Sequence, residues 1–185
     1  LILAHISDLV EHRTGACAQL SDIERNHSAT AIGLVRDNVP PPGEYYPLDG
    51  DTLLNAHSYQ AALAAAGAAI SATDAVIDGE ISNAFCAIRP PGHHARPSEP
   101  MGFCLFNNIA IAAKHALDVR GLERVAIVDF DVHHGNGTAE SVAHDPRILM
   151  VSFFQHPFYP YSDVESYTDT RVNVPVPARS KGDVV

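Results

Sequence analysis

Residues 124–153 have the sequence RVAIVDFDVHHGNGTAESVAHDPRILMVSF, in which two apolar runs flank a polar segment. The runs Arg124–Phe130 and Ile148–Phe153 are rich in β-branched and aromatic side chains and predict two buried strands. Thr138–Ala143 lies between them and predicts a short helix. Because a strand, a helix and a second strand in this order pair in parallel, the segment predicts an α/β fold.

The same alternation extends toward the N-terminus. Ala84–Ile88 is a short apolar run that predicts a further buried strand, and a proline-rich turn at residues 89–92 follows it. Alanine-rich and amphipathic patterns predict two helices, over residues 58–78 and 107–120. Open parallel sheets bind ligands beyond the carboxyl ends of their strands, so we expect the functional residues there.

Composition predicts a single domain spanning residues 1–185. A chain of 185 residues that is 46% hydrophobic has the length and composition of one soluble globular domain. Its formal charge of −10 argues against a direct nucleic-acid partner. The charge suits a cationic substrate, although it also serves solubility alone.

The cysteines and the apolar runs predict a cytoplasmic protein. Cys17, Cys86 and Cys104 form no C-x-x-C pair, which indicates reduced intracellular thiols instead of a disulfide framework. No apolar run approaches the ~20 residues of a membrane span, and no signal-peptide pattern is present. Since the chain starts at Leu1, we expect truncation at the N-terminus as well as at the C-terminus.

Two carboxylates and an imidazole follow the strand at residues 124–130. Strand alternation sends Asp129, Asp131 and His133 to one side, where they could hold a cation. Mixed oxygen and imidazole ligands suit Zn²⁺, with Fe²⁺ or Mn²⁺ less favoured, and Asp131 and His133 are the candidate ligands. The alternative is a polar cap on a strand end. Gly135 and Gly137 favour a crowded site, because glycine permits close backbone approach.

Tandem histidines stand on the stiff turn after the earlier predicted strand. His93 and His94 in this position suit general acid/base work, although two such histidines alone are more often surface residues. Each would need an orienting partner for its second ring nitrogen. Asp129 and Asn136 are suitably placed in the carboxylate segment to serve.

Three motifs together resemble the histone deacetylase superfamily, in its class II and bacterial acetylpolyamine amidohydrolase-like branch. They are RPPGHHA at residues 89–95, GFCLFNN at 102–108 and DFDVHHGNG at 129–137. Asp51, Thr52 and the alanine-rich helix also fit, so the resemblance covers nearly all of the chain. It implies an arginase/deacetylase-like three-layer αβα fold with a mainly parallel sheet, present here incompletely.

The resemblance also implies roles for individual residues. Asp131 and His133 would bind the catalytic zinc, and Asp129 and Asn136 would hydrogen-bond to His93 and His94 respectively. His94 would act as general base and then proton donor, while His93 would give electrostatic support.

Further implied positions concern the substrate and a second ion. Gly102 would offer its backbone to the substrate, and Phe103 and Tyr159 would wall the acyl channel, although aromatic side chains more often fill a core. The family suggests a structural potassium ion, held by Asp129, Asp131, His133, Ser152 and the carbonyl of Phe153.

The family also has a third zinc ligand, an Asp, and a later oxyanion-stabilising Tyr, and neither motif occurs before Val185. Asp145 and Asp163 lack the family context and receive no role. We therefore expect a zinc-dependent amidohydrolase acting on acetylated lysine or acetylpolyamine in the full-length protein. The alternative is a non-catalytic metal-binding or interaction fragment of that fold. An arginase-like two-metal hydrolase is less favoured, because it would need more carboxylates.

Overall fold

The computed structural model describes residues 7–162, 164 and 169–182. A 3-10 turn at Ser7–Leu9 precedes an alternation of helices and strands. The helices are α1 (Leu20–Glu24), α2 (Ala29–Arg36), α3 (Ser58–Ile77), α4 (Asn108–Asp118) and α5 (Asn136–Val142). The strands are β1 (Tyr46–Pro47), β2 (Leu53–Leu54), β3 (Val125–Asp129), β4 (Ile148–Gln155) and β5 (Arg171–Val176). β1 and β2 form a small antiparallel pair.

The other three strands form a parallel sheet in the order β3-β4-β5. Val125 lies opposite Ile148, and Asp129, the last residue of β3, lies opposite Ser152 in the middle of β4. The two predicted strands and their parallel pairing are confirmed. β5 was not predicted, because Asn173 interrupts its apolar run and proline is unusual within a sheet.

Helices α4 and α5 cover one face of this sheet. Every second residue of β4 is buried toward them, starting at Ile148. The core here consists of Ala113, Leu117, Ile127, Ala139, Val142, Ile148 and Met150. A second core joins α1, α2, α3 and α4 around residues that include Ile23, Val35, Leu54, Ala66, Phe106 and Ile111. Helix α4 contributes to both cores and therefore links the N-terminal helices to the sheet.

The opposite face of the sheet is also apolar but stays open to solvent within the described residues. Val128 is 56% exposed, and Leu149 and Val172 are each about 40% exposed. Parallel sheets in α/β proteins are usually covered on both faces. The fold is therefore of the predicted αβα type, and the described part of the chain shows its helical cover on one face.

The strand predicted at Ala84–Ile88 is wrong. These residues belong to no strand, and Phe85 is 79% exposed. A strand exists only when a neighbour supplies its hydrogen-bond ladder, and no described strand pairs with this segment. An apolar run records that a segment is suited to burial, but it does not record whether a pairing strand is available.

Helix α3 has the extent that its alanine-rich sequence predicts. It ends at Ile77, and Gly79 follows with a φ of +73°, a left-handed conformation that glycine adopts readily. By length and composition alone this helix could cross a membrane, although the sequence analysis found no apolar run of that length. Core helices pass the same test. Helix α3 packs on α4, and its Asp74 contacts His115 Nε2 at 2.7 Å and forms an ion pair with Arg120. These contacts favour a core helix.

The packing of α3 against residues 16–18 gives a prediction for Gly67. A Cβ at Gly67 would overlap the backbone of Ala16 and approach the Ala18 nitrogen to 2.5 Å. We expect Gly67→Ala to lower the free energy of unfolding by about 1–3 kcal/mol, because backbone atoms cannot give way cheaply. Gly33, in α2, is the matched control, since its added Cβ would meet only the Asp37 carboxylate at 3.4 Å.

Gly33→Ala should leave the free energy of unfolding unchanged or raise it by about 0.5–1 kcal/mol, because alanine is the better helix former. Urea denaturation of the purified variants measures both changes. A Gly67→Ala protein as stable as the wild type would contradict the packing described for α3.

Candidate active site

Two histidines are brought together in a turn that we call the histidine loop, residues 92–97. The rings of His93 and His94 lie 4.0 Å apart between centroids. His93 Nδ1 is 2.9 Å from Asp129 Oδ2, and His94 Nδ1 is 2.8 Å from Asn136 Oδ1. The structure therefore places each histidine against the partner that the sequence analysis named for it.

The hydrogen bond between His94 and Asn136 fixes the tautomer of His94. An amide carbonyl oxygen can only accept, so His94 Nδ1 must carry a hydrogen and Nε2 keeps its lone pair. Asn136 Nδ2 donates to the Met101 sulfur at 3.3 Å, which supports this orientation of the amide. Burial, and next the nearby His93, lowers the pKa of His94 to about 4, with the bond to Asn136 opposing the shift. His94 is therefore neutral at pH 7 and can accept a proton through Nε2.

His93 differs from His94 in having a carboxylate partner. The Asp129 side chain is 12% exposed and uses its second oxygen, Oδ1, to accept the Asp131 amide at 3.1 Å. Asp129 thus joins the histidine loop to the segment that follows β3. A carboxylate partner for one ring and a neutral amide for the other support different roles for the two histidines.

The two candidate metal ligands lie side by side after β3. Asp131 Oδ1 accepts the His133 amide at 2.8 Å and lies 3.1 Å from His133 Nδ1. Burial alone would raise the pKa of the Asp131 carboxyl, but the hydrogen bond from the His133 amide and the adjacent imidazoles lower it overall. A carboxylate oxygen and an imidazole nitrogen at this separation fit two ligand positions of a tetrahedral zinc ion.

The pair alone does not complete a zinc site. Within residues 7–162, 164 and 169–182, no group of three or more His, Cys, Asp or Glu side chains is arranged to hold a metal ion. A catalytic zinc site usually has three protein ligands and a water molecule. Asp131 and His133 therefore fit the ion chemically and would account for two of the three positions.

Ser152 has a feature that suits the second predicted ion. Its hydroxyl is fully buried in the middle of β4, opposite Asp129, and has no hydrogen-bond partner among the described residues. Buried polar atoms rarely stay unpaired. A hard cation would satisfy this oxygen, which is compatible with the potassium ion that the sequence analysis expects at Ser152 and Phe153.

A tight turn at residues 101–104 forms one wall beside the histidines. Met101 and Cys104 exchange both backbone hydrogen bonds, and Gly102 and Phe103 between them have φ values of +56° and +64°. Gly102 is buried against the His94 ring, where a Cβ would lie 2.6 Å from Cδ2. Phe103 is 62% exposed, and its amide donates to Thr52 Oγ1 at 3.1 Å. The turn therefore holds an aromatic side chain outward, with backbone strain that is typical of functional loops.

Tyr159 and Phe158 contact the rings of His94 and His133. Tyr159 stands edge-on to His94 at 5.2 Å and to His133 at 5.8 Å. Phe158 stacks on His133 at 4.9 Å with an interplanar angle of 9°. The sequence analysis missed Phe158 and the Met101 contact, because neither belongs to a motif with charged or metal-binding side chains.

Paired histidines with separate orienting partners lie next to a carboxylate–imidazole pair at the end of β3 in an α/β fold. These side chains have the chemistry of proton transfer and of metal ligation. The family of the histone deacetylase domain matches residues 2–185. The chain belongs to the histone deacetylase family.

Individual relatives agree with this assignment. Histone deacetylase 14 of Arabidopsis thaliana, a chloroplastic protein, is 44% identical over 98% of this chain and 45% of its own length. A probable deacetylase of Archaeoglobus fulgidus is 45% identical over 70% of this chain and 38% of its own length. The crystal structure of the HDA15 HD domain superposes with a TM-score of 0.82 and 34% identity, over 88% of this chain and 48% of that chain. The chain thus spans less than half the length of these relatives.

Proposed function

We propose that this chain is the histidine-bearing part of a zinc-dependent amidohydrolase, which removes acetyl groups from acetylated lysine or acetylpolyamine. The observation that carries the proposal is the meeting of the oriented pair His93 and His94 with the donor pair Asp131 and His133. The rings of His94 and His133 lie 5.8 Å apart. Because the chain spans less than half of its relatives, we assign the activity to the complete protein that contains it.

The proposed mechanism divides the work between the two pairs. Asp131 and His133 would hold zinc, with a third ligand from outside the described residues. The bound ion would polarise the acetyl carbonyl and make a water molecule more acidic. His94 Nε2 would accept a proton from a water molecule as the water attacks the carbonyl carbon, and the same nitrogen would then donate the proton to the departing amine. The products are acetate and the free amine.

His93 and the turn at residues 101–104 complete this arrangement. His93, held by Asp129, lies beside His94 and stabilises the negative charge that develops on the attacked acetyl group. Phe103 and Tyr159 flank the histidine rings and would enclose the extended acyl chain. Tyr159 remains a protonated phenol at neutral pH, since burial, and next Asp51 and Asp49, raises its pKa.

A structural potassium ion is part of the same proposal. Asp129, Asp131 and His133 would contribute to its shell, together with Ser152 and the carbonyl of Phe153. The unpaired hydroxyl of Ser152 supports this assignment. Such an ion would tie β4 to the segment that carries both candidate zinc ligands.

The proposed substrate class contains acetylated lysine and acetylpolyamine, and comparing the turnover of the two distinguishes between them. The formal charge of −10 suits a cationic molecule such as a lysine-rich peptide or a polyamine. Turnover of an acetyl-lysine peptide and of acetylspermidine should be measured side by side on the complete protein. Faster turnover of one identifies the substrate class, and turnover of neither, with zinc or with Fe²⁺, would overturn the proposal.

A second candidate function is a non-catalytic metal-binding or interaction fragment. The observation in its favour is that Asp131 and His133 are the only two zinc ligands that can be assigned among the described residues. Isothermal titration of the 185-residue chain with zinc discriminates between the two functions. Tight stoichiometric binding by this chain would count against the non-catalytic fragment, because two protein ligands seldom hold zinc on their own.

Zinc content gives a direct prediction for the donor pair. We expect the complete protein to bind about one zinc ion, and Asp131→Ala to remove most of it together with the activity, because two protein ligands seldom hold zinc. Metal analysis and a fluorogenic acetyl-lysine assay measure the two effects. His144→Ala is the control, since His144 is exposed and lies outside the site. Full zinc content in Asp131→Ala would refute the assignment of this ligand.

A further inference from the structure

The backbone carbonyl groups of the histidine loop accept hydrogen bonds that hold the loop in place. Four of the carbonyl groups between residues 93 and 97 accept hydrogen bonds from residues outside the loop. The acceptor and donor pairs are His93 O with the Thr138 amide at 3.1 Å, Ala95 O with Asn107 Nδ2 at 3.1 Å, Arg96 O with His27 Nδ1 at 3.0 Å, and Pro97 O with the Ser28 amide at 2.9 Å. The loop conformation is therefore set by the α1–α2 connection, the start of α4, and α5.

Two of these donors are side-chain nitrogens, from His27 and Asn107. His27 is the more distant in sequence from the loop residue that it binds, Arg96. It is 3% exposed, and its Nε2 lies 2.8 Å from the backbone nitrogen of Asn107. An amide nitrogen can only donate, so Nε2 accepts and Nδ1 must carry the ring hydrogen. That hydrogen is donated to the carbonyl of Arg96. One neutral imidazole thus connects the start of α4 to the end of the histidine loop.

The surroundings of His27 keep the ring neutral. Burial lowers the pKa of His27 to about 4, with the Arg96 carbonyl opposing the shift and the charge of Lys114 adding to it. Lys114, on α4, donates to Asn26 Oδ1 at 3.0 Å, and Asn26 Nδ2 lies 3.2 Å from His27 Nε2. The donor and acceptor nitrogens of His27 therefore keep their assignments at neutral pH.

Asn107 connects His27 to the other residues that hold the histidine loop. Its side chain binds Ala95 O and the hydroxyl of Thr138, and its backbone nitrogen binds His27. Thr138 belongs to α5, which begins at Asn136, the partner of His94. The residues that hold the loop and the residue that orients His94 are thus parts of one hydrogen-bonded unit.

We propose that His27 is a positioning residue for the deacetylation reaction, holding the Arg96 end of the histidine loop so that His94 keeps its bond to Asn136. This inference rests on the proposed function. His27 acts through the loop backbone and touches neither substrate nor metal. Its removal should displace His94 Nε2 from the reacting water while the substrate channel keeps its aromatic walls.

The experiment compares four proteins in the complete, zinc-loaded form: wild type, His27→Ala, His27→Asn and His27→Phe. We expect His27→Ala and His27→Phe to lower kcat by about 10- to 100-fold with KM changed less than about twofold, because small misplacements of a catalytic group are costly. Phenylalanine fills the space but cannot bond to Arg96 or Asn107. Asparagine can place its amide nitrogen, Nδ2, where histidine has Nδ1 and can donate from there to Arg96 O. This variant should therefore recover most of kcat.

Gly67→Ala controls for general destabilisation, since it weakens the fold away from the site and should leave kcat unchanged. A His27→Ala protein with kcat within twofold of the wild type would overturn the inference. So would a His27→Asn protein as impaired as His27→Ala, which would show that the bond to Arg96 does not carry the effect.

A spectroscopic readout separates this inference from the proposed function. Long-range proton–nitrogen spectra of the imidazole rings should show His94 as the Nδ1-H tautomer in the wild type and a mixture in His27→Ala. An inactive wild type with this change would refute the deacetylase proposal and support positioning by His27. An unchanged His94 tautomer in His27→Ala would refute positioning, whatever the activity.

Discussion

His94→Ala should lower kcat for an acetylated lysine substrate by about 10²–10⁴-fold, the range that general acid/base catalysis contributes. His94 is the ring whose Nε2 is left free by a neutral amide partner, and it is uncharged at neutral pH. The proposed reaction uses that nitrogen twice, to accept a proton from water and to return it to the amine. Its removal therefore affects both proton transfers.

A fluorogenic acetyl-lysine assay on the complete, zinc-loaded protein measures this loss. His144→Ala, an exposed histidine outside the site, should leave kcat within about twofold of the wild type. Zinc content should stay unchanged in His94→Ala, because His94 is not one of the two assigned ligands. Activity close to that of the wild type in His94→Ala would show that another group is the base.

The pH profile gives a second readout of the same assignment. The base must be unprotonated, and burial lowers the pKa of His94 from 6.5 to about 4. As pH falls, kcat/KM should therefore hold below pH 6.5 and decline only near pH 4, since this ratio reports the pKa of the free enzyme. An acid limb centred near pH 6.5 would indicate an ordinary, solvent-exposed histidine as the base.

Strands β3 and β4 could be predicted because their apolar runs are local signals and a helix of suitable length connects them. The run at residues 84–88 gives an equally good local signal, yet it forms no strand, since pairing depends on a neighbour that a local pattern does not reveal. Strand β5 shows the reverse case. Asn173 and Pro175 weaken its pattern, but β4 supplies a complete ladder of partners.

The site divides in the same way. His93, His94, Asp131 and His133 stand in motifs whose side-chain chemistry is visible in the sequence. The contacts that orient them are not visible, since His27 lies 80 positions before Asn107 and its role depends on which ring nitrogen carries a hydrogen. The stacking of Phe158 on His133 could not be predicted either, because an aromatic residue in a proline-containing loop has no characteristic spacing.

Asn107 carries the largest expected effect on stability. Its side chain is fully buried, caps α4 by accepting from the Ala110 amide at 3.1 Å, and donates to Ala95 O and the Thr138 hydroxyl. Asn107→Ala leaves these three groups buried without a side-chain partner. Loss of a cap costs about 1 kcal/mol, and each unsatisfied buried group costs about 1–3 kcal/mol. Allowing for relaxation, we expect the free energy of unfolding to fall by about 3–4 kcal/mol.

Urea denaturation measures this change, and Asn38→Ala is its matched control. Asn38 Nδ2 donates to the carbonyl of Leu34 in an exposed position just beyond the end of α2. Water can replace that bond, so Asn38→Ala should change the free energy of unfolding by less than about 0.5 kcal/mol. Equal effects of the two substitutions would mean that Asn107 is not the junction between α4 and the histidine loop. A large loss for Asn107→Ala alone would show that the loop conformation depends on buried amide contacts, because the backbone bond from Asn107 to His27 survives in this variant.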